Sequence, residues 1–277
     1  MMLKRILTGA GIVAGTVAIL LLAGTPVFPL AWSFFGSVGM TEYLRALSLF
    51  GKWMYTVPSL LVTAGLPFAC YYIPDGNNLF FLVSVIVCYL LWMAATSVIW
   101  HDKTTVAETA QVSFGTLYIA LCFAAFPMLY KAENNVLLIV LIFIGAWVTD
   151  TFALFIGKAF GKRKLAPDLS PKKTVAGSIG GIVGCVIGCM VYAVCVDHFT
   201  AWEPRYLWLA LCAVPIAAIS QIGDLFMSKV KREHGIKDFG KIFPGHGGVL
   251  DRFDSVLAIA PLVLLISFAF SSFRLFV

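Results

Sequence analysis

The feature that most limits what this chain can fold into is a succession of apolar stretches, each long enough to cross a bilayer. A membrane-spanning helix needs about 20 predominantly apolar residues. Such windows fall near 6–23, 27–47, 53–73, 79–100, 110–130, 135–158, 174–196, 206–227 and 254–274. Hydrocarbon offers no partner for backbone N–H and C=O groups, so stretches of this kind fold as helices, which satisfy those groups internally. The expected fold is therefore all-α: a polytopic integral membrane protein with about nine transmembrane helices, residues 1–277 forming a single transmembrane domain. Composition agrees. The chain is 60% hydrophobic and 12% charged, against about 45–50% and about 25% in soluble domains, which excludes a soluble protein.

Charge placement sets an expected orientation. Cytoplasmic loops of membrane proteins are enriched in Lys and Arg. With the N-terminus cytoplasmic, only Lys131, Arg205 and Arg274 of the 20 basic residues fall outside, leaving 20 − 3 = 17 inside. Lys4 and Arg5 before an apolar run also fit a cleaved signal peptide, but removing that helix would break the alternation. The second window is the weakest, because Glu42 and Arg45 fall in its last turns. The net charge of +6 sits at the ends of apolar segments, which suits anionic membrane lipids or a phosphate-bearing ligand better than nucleic acid. The seven cysteines are an odd count, contain no C-x-x-C pair, and lie in or at the ends of apolar runs, where a thiol acts as a small hydrophobe. Neither zinc nor a disulfide is expected.

Two expected cytoplasmic loops stand apart, 159–173 and 228–253. From Ser228 to Asp254 the chain packs Lys229, Lys231, Arg232, Lys237, Lys241 and Arg252 beside Asp238, Asp251 and Asp254. Carboxylates are hard ligands for Mg²⁺, which commonly binds through one or two of them plus substrate phosphates, while Arg and Lys hold the remaining phosphate oxygens. If the last helix begins near Leu250, Asp251 and Asp254 project from one face of its first turn. They either share a metal there or cap the helix. Asp224 lies near the end of the eighth window among Ala217, Ile219, Ile222, Leu225 and Phe226, and Asp150 lies within the sixth. Acids at membrane depth usually face polar cavities and carry function. Gly223 beside Asp224 leaves room for a ligand or a helix, and Asp150 needs a cation, a metal or a helix–helix hydrogen bond.

Ser170-Pro171-Lys172-Lys173-Thr174 leads into the seventh helix, either as a phosphate cradle at a positive helix end or as a membrane-flanking lysine pair. Gly180, Gly184 and Gly188, with Gly177 and Gly181, form a small-x-x-x-small stripe expected to pack helices closely. His246-Gly247-Gly248 is a compact turn in which the imidazole either meets a phosphate or simply sits in a glycine turn. The aromatic residues are expected to be lipid-facing or interfacial.

Ser228, Lys231, Arg232, Lys237, Asp238, His246, Gly247, Gly248, Asp251, Arg252 and Asp254 fill every fixed position of the signature S-x-x-K-R-x4-K-D-x7-H-G-G-x2-D-R-x-D. On these residues the chain resembles the phosphatidate cytidylyltransferases, or CDP-diacylglycerol synthases. Asp150, Ser170 to Thr174 and Gly223-Asp224 are also similar to that family, so the close resemblance covers about residues 147–254, the region carrying the catalytic motifs. One departure stands out: the family usually continues Ser-Pro-Lys-Lys-Thr with Trp-Glu-Gly, and this chain has Val175-Ala176-Gly177. The residues that read cytosine are therefore left open.

The resemblance implies an enzyme that transfers CMP from CTP to phosphatidate, giving CDP-diacylglycerol and pyrophosphate in phospholipid biosynthesis. It implies Mg²⁺, with room for a second cation, on Asp224, Asp251 and Asp254. The triphosphate and the lipid phosphate would be bound by Ser170, Lys172, Lys173, Lys231, Arg232, Lys237 and Arg252. Asp238 would orient a cation, His246 would sit near the leaving group, and Asp150 would line the same cavity. The expected setting is a bacterial inner membrane with the active site facing the cytoplasm, among membrane lipids, with no nucleic acid partner and with homodimerisation open. The alternatives are a CTP-dependent polyprenol-type lipid kinase, which the complete signature argues against, and an ion-coupled transporter. A transporter would show two similar halves and midplane acids, and the sequence shows no repeat.

Overall fold

The computed structural model describes residues 2–74, 76–131, 135–243, 245, 247–269 and 275–276. Nine helices occupy the nine apolar windows among the described residues: α1 Met2–Leu21, α2 Val27–Ala46, α3 Trp53–Tyr72, α4 Asn78–Ile99, α5 Val106–Lys131, α6 Asn135–Phe160, α7 Val175–Phe199, α8 Tyr206–Glu233 and α9 Leu250–Ala269. Six of them, α3 to α8, are long and apolar enough to cross a membrane, and the chain is a multi-pass, all-α membrane protein.

Three local features depart from the hydropathy reading. Residues 164–166 and 170–174 form a two-stranded antiparallel sheet, β1 and β2, with Lys164 opposite Thr174 and Ala166 opposite Ser170. Helix α8 runs on to Glu233, six residues past the apolar window, so Ser228, Lys231 and Arg232 are helical and not part of a loop. Helix α5 starts at Val106, before its apolar window, because Thr105 and Glu108 form a reciprocal cap. The Thr105 hydroxyl accepts the Glu108 N–H at 3.1 Å and the Glu108 carboxylate accepts the Thr105 N–H at 3.2 Å, satisfying donors that a helix start leaves over.

The chain forms two compact units. The first comprises Met1–Lys131 and Ile236–Arg252. Its core is aromatic and small-residue packing between α2, α3 and α5. Trp32 stacks on Phe126 with ring centroids 3.8 Å apart, and Gly115 makes room for the Tyr43 ring, which a Cβ there would approach to 2.1 Å. Buried hydroxyls pair with one another: Thr116 donates to Ser59 at 2.9 Å, and Ser59 and Tyr89 share a hydrogen bond of 3.1 Å. Such pairing removes the cost of burying polar groups.

The ends of this unit sort as alternating spans require. At one end Lys52, after α2, reaches Glu108 and the Lys103 carbonyl, each at 2.8 Å. At the other end the Tyr71 hydroxyl donates to the Ala23 carbonyl at 3.1 Å and the Lys131 ammonium donates to the Ile73 carbonyl.

The second unit comprises Ala132–Gly235 and Phe253–Val277, so the helix α9 begins in the first and continues in the second. Its organising feature is the seam of α6 and α7. A Cβ on Gly184 would lie 2.2 Å from the Phe152 ring, one on Gly180 2.6 Å from Ile156, and one on Gly177 2.6 Å from the Ala153 carbonyl. The glycine stripe therefore does what its spacing predicts, letting two helix backbones approach. Gly223 does the same for α8 and α9: a Cβ there would meet the Asp254 carbonyl at 2.8 Å and the Ala258 methyl at 2.5 Å. Of the two uses its sequence position allows, close helix approach is the one realised.

Candidate functional site

In the second unit a cavity of about 530 Å³ opens between α6, the β1–β2 hairpin, α7 and α8. Asp150, Lys158, Lys164, Lys172, Lys173 and Asp224 line it, so four lysines and two acids share one recess. The hairpin supplies two of the lysines from β2. The Thr174 hydroxyl ends that strand and accepts the Gly177 N–H at 3.1 Å, capping α7. The α7 N-terminus thus begins at the cavity wall, with its positive dipole end. Gly157 and Gly161 pack directly on that hydroxyl, which fixes the hairpin against the end of α6. Val175 and Ala176, where the resembled family usually has Trp and Glu, are the first two residues of α7, and the Val175 N–H donates to the Arg163 carbonyl at 3.0 Å.

Asp224 is the hinge of the charge arrangement. One of its oxygens is paired with the Lys173 ammonium, and the other accepts the Ser228 hydroxyl at 3.3 Å. Asp254, one helix away, feels Asp224, Asp150 and Lys231 electrostatically. Its carboxylate accepts its neighbour Ser255 N–H at 2.8 Å, and the Ser255 hydroxyl reaches Asp150 at 3.5 Å. Lys231 is only 8% exposed. Three acids and two ammonium groups are thus gathered within one unit, where low dielectric strengthens every charge–charge interaction.

Among the described residues no three His, Cys, Asp or Glu side chains converge tightly enough to form a complete metal cage. The donor set fits a different kind of site. Mg²⁺ is commonly held by one or two carboxylates with substrate oxygens and waters filling the rest. Asp224 and Asp254 offer two hard-oxygen donors that could serve such a site, and the Lys173 ammonium now supplies positive charge beside Asp224.

The loop of the first unit is organised by a different pair of acids. The Asp251 carboxylate, 5% exposed, accepts the N–H groups of Phe239 at 2.8 Å and Gly248 at 2.9 Å. The Glu42 carboxylate accepts those of Val249 at 3.0 Å and Leu250 at 2.9 Å. Both glycines of the His-Gly-Gly turn have geometric reasons. Gly247 has φ +86°, a conformation that favours glycine, and a Cβ on Gly248 would lie 2.2 Å from the Glu42 carboxylate.

The expected residues are therefore distributed unevenly. The structure brings Asp150, Lys172, Lys173 and Asp224 into one cavity and sets Asp254 and Lys231 in electrostatic reach of that group. Ser170 lies on β2 outside the cavity lining. Arg232 is exposed in the last turn of α8, and Lys237 and Asp238 are exposed in the loop. The Nε of Arg252 is buried and makes no hydrogen bond among the described residues. Asp251 serves its loop, accepting the Phe239 and Gly248 N–H groups. His246 lies outside the described residues. Sequence reasoning passes over Lys158 and Glu42: the first is one of many basic residues near a helix end, and the second reads only as a weakness in an apolar window.

Comparison with known proteins gives the chemistry a context. A phosphatidate cytidylyltransferase of Bacillus subtilis (strain 168) is 31% identical over 283 residues, covering 98% of this chain and 99% of its own length. One of Rickettsia prowazekii (strain Madrid E) is 41% identical over 172 residues, 61% of this chain and 74% of its own. The sequence profile of the cytidylyltransferase family matches residues 3–270, nearly the whole length that the nine helices occupy, and the chain belongs to that family.

Proposed function

We propose that this protein transfers CMP from CTP to phosphatidate at the cytoplasmic face of the cell membrane, releasing pyrophosphate and forming CDP-diacylglycerol. The observation that carries this reading is the cavity of the second unit. It joins four lysines to membrane-embedded acids, a combination suited to two polyanions and a divalent cation. Family membership and the names of the full-length relatives support the choice of substrates.

The attacking group is an oxygen of the phosphatidate phosphate, which is ionised at neutral pH and needs no strong base. It bonds to the α-phosphorus of CTP, and the bond from that phosphorus to the β-bridging oxygen breaks, so pyrophosphate leaves with the electron pair. What the chain must supply is positioning and charge neutralisation. Lys172, Lys173, Lys158 and Lys164 supply positive charge for the triphosphate and the lipid phosphate. Asp224 and Asp254 would hold Mg²⁺, which when bound neutralises charge on the phosphate oxygens. The lysine now paired with Asp224 turns to phosphate when substrate arrives. Lys237 and Arg252, with Asp238, are taken as further phosphate-binding groups on the strength of the family signature they fill. An acid-rich site at the helix ends lets the acyl chains stay in lipid while the headgroup meets a soluble nucleotide.

The test is turnover by the purified protein in mixed micelles with phosphatidate, CTP labelled at the α-phosphate, and either Mg²⁺ or chelator. Label in the lipid with Mg²⁺ and none with chelator is expected. Transfer of γ-label to a polyprenol, with no α-label in lipid, would replace this reading by the kinase.

A further inference from the structure

Glu42 takes no part in that reaction scheme, yet among the described acids of the first unit it is the least exposed, at 4%. A carboxylate in such a place is costly unless its hydrogen bonds are made. Here they are made by backbone: Oε1 accepts the Val249 N–H at 3.0 Å and Oε2 accepts the Leu250 N–H at 2.9 Å. These partners lie 207 and 208 residues along the chain. The loop closes over the carboxylate at two further points, since a Cβ on Gly240 or on Gly248 would come within 2.2 Å of Oε1. One turn earlier in α2, Gly39 receives the Leu250 side chain, at 2.9 Å from where a Cβ would stand.

Four features of the loop from Ile236 to Leu250 thus converge on one acid of α2: two N–H donors and two glycines. The donors include the first residue of α9, a helix start whose N–H groups have no partner within the helix. With the carboxylate ionised, such bonds are charge-assisted and about twice as strong as neutral ones. Asp251, holding Phe239 and Gly248, fastens the same loop from within, whereas Glu42 fastens it to the helix bundle.

We propose that Glu42 is a positioning residue of the transferase: its carboxylate anchors the loop that carries Lys237, Asp238, His246 and Arg252, and so fixes the phosphate-binding groups and the start of α9. The inference rests on the cytidylyl-transfer reading for its effect on turnover, but not for its effect on the loop. Glu42 itself touches no substrate, because the loop backbone occupies both of its oxygens.

The experiment compares the full-length wild type with Glu42→Gln and with Ser59→Ala. Gln keeps the volume but turns an amide NH2, itself a donor, toward one of the two N–H donors. Ser59→Ala removes a buried hydroxyl of the same unit that is hydrogen-bonded to Tyr89 and Thr116 and not to the loop. Turnover is measured well below each Tm, with backbone hydrogen exchange read by mass spectrometry. Glu42→Gln should lower kcat about 10- to 100-fold, as small misplacements of binding groups do, with faster exchange confined to 236–252. Ser59→Ala should lower Tm without either effect. Wild-type kcat in Glu42→Gln, or equal loss of kcat in both variants at equal loss of Tm, overturns the proposal. If the wild type makes no CDP-diacylglycerol, the transferase reading fails instead, and the exchange pattern still decides whether Glu42 holds the loop. Should Glu42→Gln not accumulate, Gly248→Ala strikes the same contact from the loop side and must reproduce the localised exchange.

Discussion

Asp224 and Glu42 are both acids in apolar helices, and only one of them is legible as functional from sequence. Asp224 stands in an apolar run beside a glycine, in the region that resembles a known signature, so its energetic cost alone marks it. Glu42 falls in the last turns of a window rich in aromatic residues and looks like the frayed end of a span. Its justification lies in two N–H groups more than 200 residues away, a pairing no local pattern announces. Lys173 is visible as a cation but not as the partner of Asp224, for the same reason. This pair makes a prediction at the scale of one side chain. Asp224→Asn keeps size and half-burial while removing the charge that balances Lys173 and, in the proposed scheme, holds Mg²⁺. Turnover should fall at least about 100-fold, and the Mg²⁺ concentration giving half the maximal rate should rise. Near-normal turnover at wild-type Mg²⁺ would remove Asp224 from that role.

At the scale of elements, hydropathy locates all nine helices because apolar length is what a bilayer selects. Sequence spacing also predicts the close seam of α6 and α7, since glycine every fourth residue falls on one helical face. Neither pattern reveals the β1–β2 hairpin, whose strands are short, lysine-rich and interrupted by Pro171, and whose end at Thr174 packs on Gly157 of α6 and on Gly161 just after it. Hydropathy ends α8 too early, because beyond Met227 the helix is carried by polar residues, with Lys229 and Glu233 paired at 3.6 Å one turn apart. The seam can be tested by one substitution at two positions. At Gly65, within α3, an added methyl would find no atom within 4 Å, whereas at Gly184 it would meet Phe152 at 2.2 Å. Gly65→Ala should leave stability within about 0.5 kcal/mol of wild type. Gly184→Ala should cost about 1–3 kcal/mol, the usual range for overpacking. Thermal unfolding in one detergent checks both, and equal behaviour would mean the glycine stripe does not set the helix approach.

For the whole molecule, the question is which side of the membrane each loop faces, and two independent lines bear on it. Basic residues alternate between loops as a cytoplasmic N-terminus requires. Within the first unit, hydrogen bonds tie the loops after α2 and α4 together at one end and those after α1 and α3, with the end of α5, at the other. Geometry therefore fixes that those loops sort into two sets, and charge predicts that Lys52 and Lys103 are in the cytoplasmic one. Single cysteines report this directly. In a background with the two exposed thiols, Cys88 and Cys195, replaced by serine, Asn77→Cys should react with an impermeant maleimide added outside intact spheroplasts. Lys103→Cys should react only after the membrane is opened. Within the second unit the same contrast is expected between Glu203→Cys, reactive from outside, and Lys162→Cys, which is not. Reversal of every site would keep the helical sorting but place the lysine-lined cavity away from cytoplasmic CTP, and the proposed reaction would then lack its nucleotide.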